Sequence, residues 1–261
     1  MAMNSVNTNV GAMIALQNLQ VTNNELTQVQ SRINTGKKVS SAKDNGAIWA
    51  IAQGQRAEIG ALNAVKDSLQ RGQSAVDVSL AAGESVSDLL TQLKEKALSA
   101  TDTSLTSSAR SALNEDFKSI RDQIATVVDN AAFNGVNLLD GSSTGGFAAL
   151  ANVSGSTITV ASQDMSLSGS VVTLGASAVI DTASAATASL ALVTASIDNV
   201  GASLAKLGTG SNSLGTNLTF VGKLQDALEA GVGNLVDADL AKESARLQAL
   251  QTKQQLGVQA L

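Results

Sequence analysis

The chain has no histidine, cysteine, tyrosine or proline in 261 residues, and aromatic residues make up only 2% of it. Without His and Cys there is no imidazole for acid–base work, no thiolate nucleophile, and no nitrogen or sulfur ligand for a metal. A zinc-protease pair of the H-E-x-x-H type is impossible for the same reason. The reactive groups left are carboxylates, Lys, Arg, Ser and Thr, which seldom make an active site without a partner base. The sequence therefore reads as a non-enzyme that needs no cofactor.

The absence of proline carries a second message. Average usage would put roughly 13 prolines in a chain of this length, so the backbone has been kept free of helix breakers. Absence of cysteine suits a protein that crosses compartments without forming disulfides. With so few aromatics, Ala, Ser and Leu must fill the core, which favours thin helices packed along their length. The net charge of −5, from 17 basic and 22 acidic residues, argues against nucleic acid as a partner. No uninterrupted apolar run approaches the 18 or more residues of a membrane span, so no membrane insertion is expected. Residues 1–10 lack the basic start and apolar stretch of a cleavable signal peptide, and export, if it occurs, is expected by another route.

What is present is helical periodicity. The series Leu62, Leu69, Val76, Gly83, Leu90, Ala97 is apolar or small at every seventh position, and Val65, Gly72, Ser79, Val86, Leu93 accompanies it. Together they alternate four and three along one helix, as coiled-coil packing requires. That helix is predicted to start near Ser41 or Lys43 and to fade by Thr101–Thr106. A second helix, capped at Thr106 or Ser107, carries Leu113, Phe117, Ile120, Ile124, Val127 and Ala131. A third pattern runs from Leu190 through Val193, Ile197, Val200, Leu204 and Leu207 to Leu235, and a helix over it would be about 70 Å long.

Between the second and third patterns the composition changes. Of the 50 residues from Gly141 to Leu190, 33 are Gly, Ser, Thr or Ala, and only Asp164 and Asp181 are charged. Such a segment cannot bury a helical stripe. Ser156–Val160 and Ser170–Leu174 are β-rich and bounded by turn residues, which predicts a small β element beyond the helix ends. Its Ser/Thr density would suit O-linked sugars or a flexible polar surface equally.

The termini form a third class. Met3, Val6, Val10 and Met13, then Leu19, Leu26 and Ile33, are spaced as one helical stripe; Leu240, Leu247, Leu250, Val258 and Leu261 form another. Neither stripe is broad enough to be buried alone, and isolated amphipathic helices are marginal in water. The expectation is that these twelve residues pack as paired terminal helices and between copies of the chain, folding on assembly. Lys37, Lys38 and Lys43 make a small basic cluster, read as a solvated turn or as one side of an axial ion pair with a neighbouring copy. Trp49, the sole tryptophan, reads as a packed aromatic or a contact between copies. The fold class expected is mainly α, an elongated coiled-coil-like bundle with paired terminal helices and a small β-rich insert.

Three motifs then match a known family. Ser31-Arg-Ile-Asn34 with Ser41-Ala-Lys-Asp-Asn45 and Ala50-Ile-Ala52 resembles the N-terminal signature of bacterial flagellins. Phe133-Asn-Gly-Val-Asn-Leu-Leu-Asp-Gly141 is similar to the segment that closes their N-terminal region, and Val236-Asp-Ala-Asp-Leu-Ala-Lys-Glu243 to the opening of their last helix. The resemblance covers roughly 1–141 and 190–261. It implies a secreted structural subunit that self-assembles into the flagellar filament, alone or mixed with other flagellins. Implied partners are the flagellar export apparatus and its chaperone, and the hook-associated and cap proteins.

Residues 1–40 and 236–261 would then form the inner core and 41–141 with 190–235 the surrounding helical tube. Residues 142–189 would be the short variable insert. The family's last helix usually runs on past the equivalent of Leu261. A hook–filament junction protein shares the terminal helices and is the nearest alternative. A cytoplasmic signalling coiled coil is further off, because its turn would be helical rather than β-rich.

The resemblance also locates a departure. Leu93-Lys-Glu-Lys-Ala-Leu98 stands where flagellins detected by the innate-immune flagellin receptor carry V-R-E-L-A-V, so Lys94 and Glu95 keep the pattern. Gln92 replaces a basic residue and Lys96 an apolar one. Weak activation of that receptor is therefore expected in a reporter-cell assay, and full potency would contradict the reading.

Overall fold

A computed structural model describes residues 9–259; Met3, Val6 and Leu261 lie outside them. Five helices are described: α1 (Val10–Thr35), α2 (Gly46–Ala100), α3 (Ser107–Asp129), α4 (Ala183–Val236) and α5 (Leu240–Gln259). Two short antiparallel hairpins lie between α3 and α4 in sequence. β1 (Ala132–Phe133) pairs with β2 (Val136–Asn137), and β3 (Phe147–Leu150) with β4 (Thr157–Val160). The chain divides into two units, residues 1–60 with 224–261 and residues 61–223; α2 and α4 contribute to both.

In the 61–223 unit the α2 seam behaves as its spacing requires. All eleven positions from Leu62 to Ala97 in the two series are buried, including Gly72, Ser79 and Gly83. Small residues in the seam bring neighbours close: a Cβ built on Gly83 would lie 2.7 Å from Leu204 Cδ2 of α4. On α3, Phe117 and Ile124 are fully buried. Thr106 caps that helix by accepting from Ala109 N at 3.2 Å, as the sequence suggested.

On α4 the structure corrects the periodic reading. Val193, Val200, Leu207, Leu214 and Val221 are buried, but their companions in the seam are Ser189, Ser196 and Ser203, also buried. Leu190, Ile197, Leu204 and Leu218, which the sequence placed there, are only half-buried. Hydropathy ranked the larger side chains first, whereas Ser189 and Ser196 are turned to the 173–179 segment, Ser189 bonding Val179 O and Ser196 accepting from Thr173 N. Two of the serine hydroxyls cost little there because they find partners: Ser189 donates to Val179 O and Ser196 to Leu192 O. One stretch of α4 is apolar enough on average for a membrane span. The helix carries the packed seam, and at 54 residues it far exceeds the ~20 that cross a bilayer.

The β-rich insert also differs from expectation. It lies along the helices rather than beyond their ends. Leu150 N donates to Ser68 Oγ of α2 at 3.0 Å, and Phe147 and Ala149 cover Gly72. Val160 fits against Gly210 of α4. The first expected strand is β4; the second, Ser170–Leu174, is not a strand. Its Val171, Val172 and Leu174 are buried as a strand's would be, but side chains satisfy its backbone: Thr173 N donates to Ser196 Oγ at 3.1 Å and Asn199 Nδ2 to Val171 O at 3.2 Å. Likewise Ile180 N donates to Asn114 Oδ1 and Arg121 to Ala178 O, each at 2.8 Å. A segment too rich in small residues to form a sheet is thus ordered by polar groups on α3 and α4.

Two glycines of α4 give opposite expectations. A Cβ on Gly210 would sit 2.8 and 3.0 Å from the methyls of buried, β-branched Val160, whereas nothing lies within 4 Å of one on Gly208. Gly210→Ala should destabilise the unit by about 1–3 kcal/mol through overpacking. Gly208→Ala should stabilise it by up to ~1 kcal/mol through helix propensity. Chemical denaturation of the two variants measures both signs.

Candidate functional site

With no titratable cluster of catalytic or metal-binding type among the described residues, the question is which surfaces remain available. The terminal helices give the clearest answer. Helix α1 is capped by Asn9, which accepts from Ala12 N at 3.2 Å, and stops at Gly36 in the left-handed conformation. Helix α5 is capped by Asp239, which accepts from Lys242 N at 3.1 Å. Arg32 Nη1 meets Glu243 Oε1 at 3.1 Å, Asn23 Oδ1 accepts from Gln254 Nε2 at 2.7 Å, and Leu19 reaches Gly257. Numbers fall along α1 as they rise along α5, so the two helices run antiparallel.

The seam of this pair can be read from burial. On α1 it is Ala12, Ala15, Leu19, Thr22, Leu26, Val29 and Ile33; on α5 it is Glu243, Leu247, Leu250, Gln254 and Gly257. Both alternate three and four. Leu19, Leu26, Ile33, Leu247 and Leu250 of the predicted stripe therefore belong to this seam, where they pack within the chain. Thr22 and Val29 complete it and were missed: a threonine at one of two seventh-spaced positions hid the repeat. Thr22 is tolerated because its hydroxyl donates to Asn18 O at 2.9 Å.

The seam is thin. Val29 and Leu250 are its only fully buried apolar side chains among the described residues, and Glu243 is buried with Oε2 unpartnered. Burying a charge beside a partly exposed Arg gives little net stability. A single well-placed polar pair in such a seam favours one register, and Arg32–Glu243 is a pair of that kind.

The other described residues of the predicted stripe face outward. Met13 is 64% exposed, and Val10, Leu240 and Val258 are also exposed. Ile14, Leu16 and Val21, which the stripe did not include, join them. Val10, Met13, Ile14 and Leu16 line one open apolar hollow of about 690 Å³ on α1. These side chains leave one face of α1 without an apolar partner among the described residues.

The three motifs noted in the sequence turn out to be chain punctuation. Ser40 and Ser41 each donate a backbone N–H and a hydroxyl to Asp44 Oδ2, at 2.9–3.2 Å. The Ser40 hydroxyl foremost, with the two amides, holds the Asp44 carboxyl below its ordinary value of 3.8. A lowered folded pKa contributes stability above the ordinary value, and that is lost as pH falls through the folded one. This turn delays α2 to Gly46, later than expected, with Asn45 Oδ1 accepting from Ile48 N at 3.1 Å. Beside it the chain ends cross: Lys38 N donates to Val236 O at 2.6 Å and Ala238 N to Gly36 O at 2.9 Å.

Trp49 is half-buried against Val39, Ala52, Val232 and Val236. Lys37, Lys38 and Lys43 are exposed and make no ion pair among the described residues. Further along, Gln92, Lys94 and Glu95 are exposed on α2, while Lys96 is held by Asp116 at 2.7 Å.

Comparison with known proteins bears on these surfaces. Residues 6–144 match the bacterial flagellin N-terminal helical region and residues 190–261 the C-terminal helical region. The chain is 60% identical to flagellin FljM of Caulobacter vibrioides over 261 residues, all of this chain and 94% of that one. It is 37% identical to a flagellin of Brucella melitensis, over 99% of this chain and 94% of the relative. Among solved structures, a Bacillus cereus flagellin superposes with TM-score 0.52 at 23% identity, covering 59% of this chain and 88% of that one. A putative flagellar hook-associated protein from Vibrio parahaemolyticus does so with TM-score 0.58 at 17% identity, covering 74% and 100%. At these identities the two structures speak to the fold alone.

The thin seam makes Leu250 decisive. Leu250→Ala should cost the α1–α5 pair about 2–5 kcal/mol. Hydrogen exchange should show protection lost across Val10–Thr35 and Leu240–Gln259 but kept in residues 61–223.

Proposed function

This chain belongs to the bacterial flagellin family, whose members are structural subunits of the extracellular flagellar filament and not enzymes, and from that premise we propose how its terminal segments serve assembly. The observation that carries the proposal is the division of labour on α1 and α5. One face of each helix closes the antiparallel pair, and Val10, Met13, Ile14, Leu16, Val21, Leu240, Leu256 and Val258 stay exposed. In the filament these residues pack against the same helices of neighbouring copies, so that residues 1–40 and 236–261 form its inner core. Residues 41–141 and 190–235 surround that core, with 142–189 laid against them. Burial of an apolar face on assembly contributes roughly 25 cal/mol per Å² removed from water. An interface repeated in every copy needs only modest strength at each contact.

The same surfaces suggest how the chain is handled before assembly. A terminal pair with so slight a core opens at low cost, which suits export through the flagellar apparatus with a chaperone holding the apolar helices. Hook-associated and cap proteins would meet the same helix faces at the two filament ends.

Seeded reassembly followed by electron microscopy tests this reading. The unsubstituted chain should extend seeds into long tubular filaments. Met13→Asp should lower the elongated length by at least tenfold, the effect of about 1.4 kcal/mol lost per contact, while leaving the circular dichroism of the monomer unchanged. Ser154→Asp, on an exposed hairpin turn, should elongate normally. Normal filaments from Met13→Asp would contradict the assignment of this face.

A further inference from the structure

Three places in the chain pair an acid amide or acid with a following glycine: Asn45–Gly46, Asn134–Gly135 and Asp140–Gly141. The pairing matters chemically, because a glycine leaves its amide nitrogen unshielded toward the preceding side-chain carbonyl carbon. The structure treats the three sites differently. Asn45 is held by its bond from Ile48 N and stands at the start of α2. Asp140 Oδ1 accepts from Ser142 N at 2.8 Å and from Ser142 Oγ at 2.6 Å. Asn134 is exposed, and its side chain has no hydrogen-bond partner among the described residues.

Asn134 and Gly135 are the two central residues of the β1–β2 turn, with φ of +50° and +80°. Positive φ at both is the type I′ geometry that Asn-Gly favours. Phe133 and Val136 are the paired residues that close the turn, and the Gly135 N–H between them makes no hydrogen bond among the described residues. A free amide nitrogen and a free side-chain amide therefore adjoin in an exposed two-residue loop.

We propose that Asn134 is a self-modification site, at which the chain converts asparagine to aspartate and isoaspartate without an enzyme. The Gly135 nitrogen attacks Asn134 Cγ and loses its proton. The bond from Cγ to the side-chain nitrogen breaks, and ammonia leaves with that proton. Water then opens the five-membered imide. Cleavage between Cγ and the Gly135 nitrogen gives aspartate, and cleavage at the main-chain carbonyl gives isoaspartate. No oxidant or reductant takes part.

Either product places a negative charge in a neutral turn. The isoaspartate also lengthens the main chain by one methylene inside a hairpin whose register is Ala132 to Asn137 and Phe133 to Val136. That register positions Asn137, which donates to Val128 O at the end of α3 at 2.7 Å and accepts from Leu139 N at 2.8 Å. Ageing at Asn134 thus loosens the end of α3 in a subunit that acts outside the cell.

The test is peptide mapping by mass spectrometry of the full chain held folded at mildly alkaline pH, with an unfolded sample in denaturant as reference. In the folded chain the Asn134 peptide should gain the mass of NH2 replaced by OH several-fold faster than the Asn45 peptide. It should accept methyl groups from an isoaspartyl methyltransferase, and its conversion should quicken as pH rises and the Gly135 amide proton is more readily removed. Unfolding should bring the two sites to similar rates. Asn134→Gln, which would have to close a six-membered ring, should abolish the methyl-accepting signal. An unchanged Asn134 peptide over a period in which the unfolded chain converts would overturn the proposal. So would equal conversion of Asn45 and Asn134 in the folded chain.

Discussion

The packing seam along α2 is the interaction on which the 61–223 unit depends. Eleven consecutive three-and-four positions are buried, and small residues among them let α4 and the β3–β4 hairpin come within van der Waals contact. Each fully buried Leu or Val contributes roughly 1.5–3 kcal/mol relative to exposure, so the seam supplies stability that the scarce aromatics cannot. Close approach has a second consequence. Serines on α4 and polar groups on α3 lie near enough to satisfy the backbone of residues 163–180, which has almost no ladder of its own. Arg110 does the same at the end of α2, donating to Ala100 O and, at 2.8 Å, to Asp102 O.

The terminal unit follows a different rule. Its α1–α5 seam has the same periodicity, but Thr22, Glu243 and Gln254 occupy positions that a stable pair would fill with Leu or Val. Polar residues in the seam set register at the expense of stability. The apolar residues that would have strengthened the pair stand on its outer surface instead. On the proposed reading the two arrangements serve one subunit: one unit keeps its shape alone, and the terminal helices complete their burial on other copies of the chain.

The sequence made the helices legible because their periodicity is local. The α2 seam was read without error, and the α3 cap to within one residue. The companions on α4 were misread because Ser189, Ser196 and Ser203 look like surface residues until close packing is known. The insert was hard for a related reason. Ser170–Leu174 has a strand's burial, yet its bonding depends on Asn199 and Ser196, which are distant in sequence and carry no local signal. On α1, Leu19, Leu26 and Ile33 were visible, but their division from Met13 and Ile14 between an inner and an outer face required the partner helix. The motifs that pointed to the family gave no hint of their role as caps and turns, which emerged only from the hydrogen bonds of Asp44, Asn45 and Asp239.

The most direct measurement is an electron cryomicroscopy reconstruction of filaments grown from this chain, at side-chain resolution. The account predicts the α1–α5 pair intact, with Arg32 on Glu243, and Val10, Met13, Ile14 and Leu16 buried against neighbouring copies. A filament in which those four side chains face the channel or solvent, while subunits meet only through residues 61–223, would contradict it.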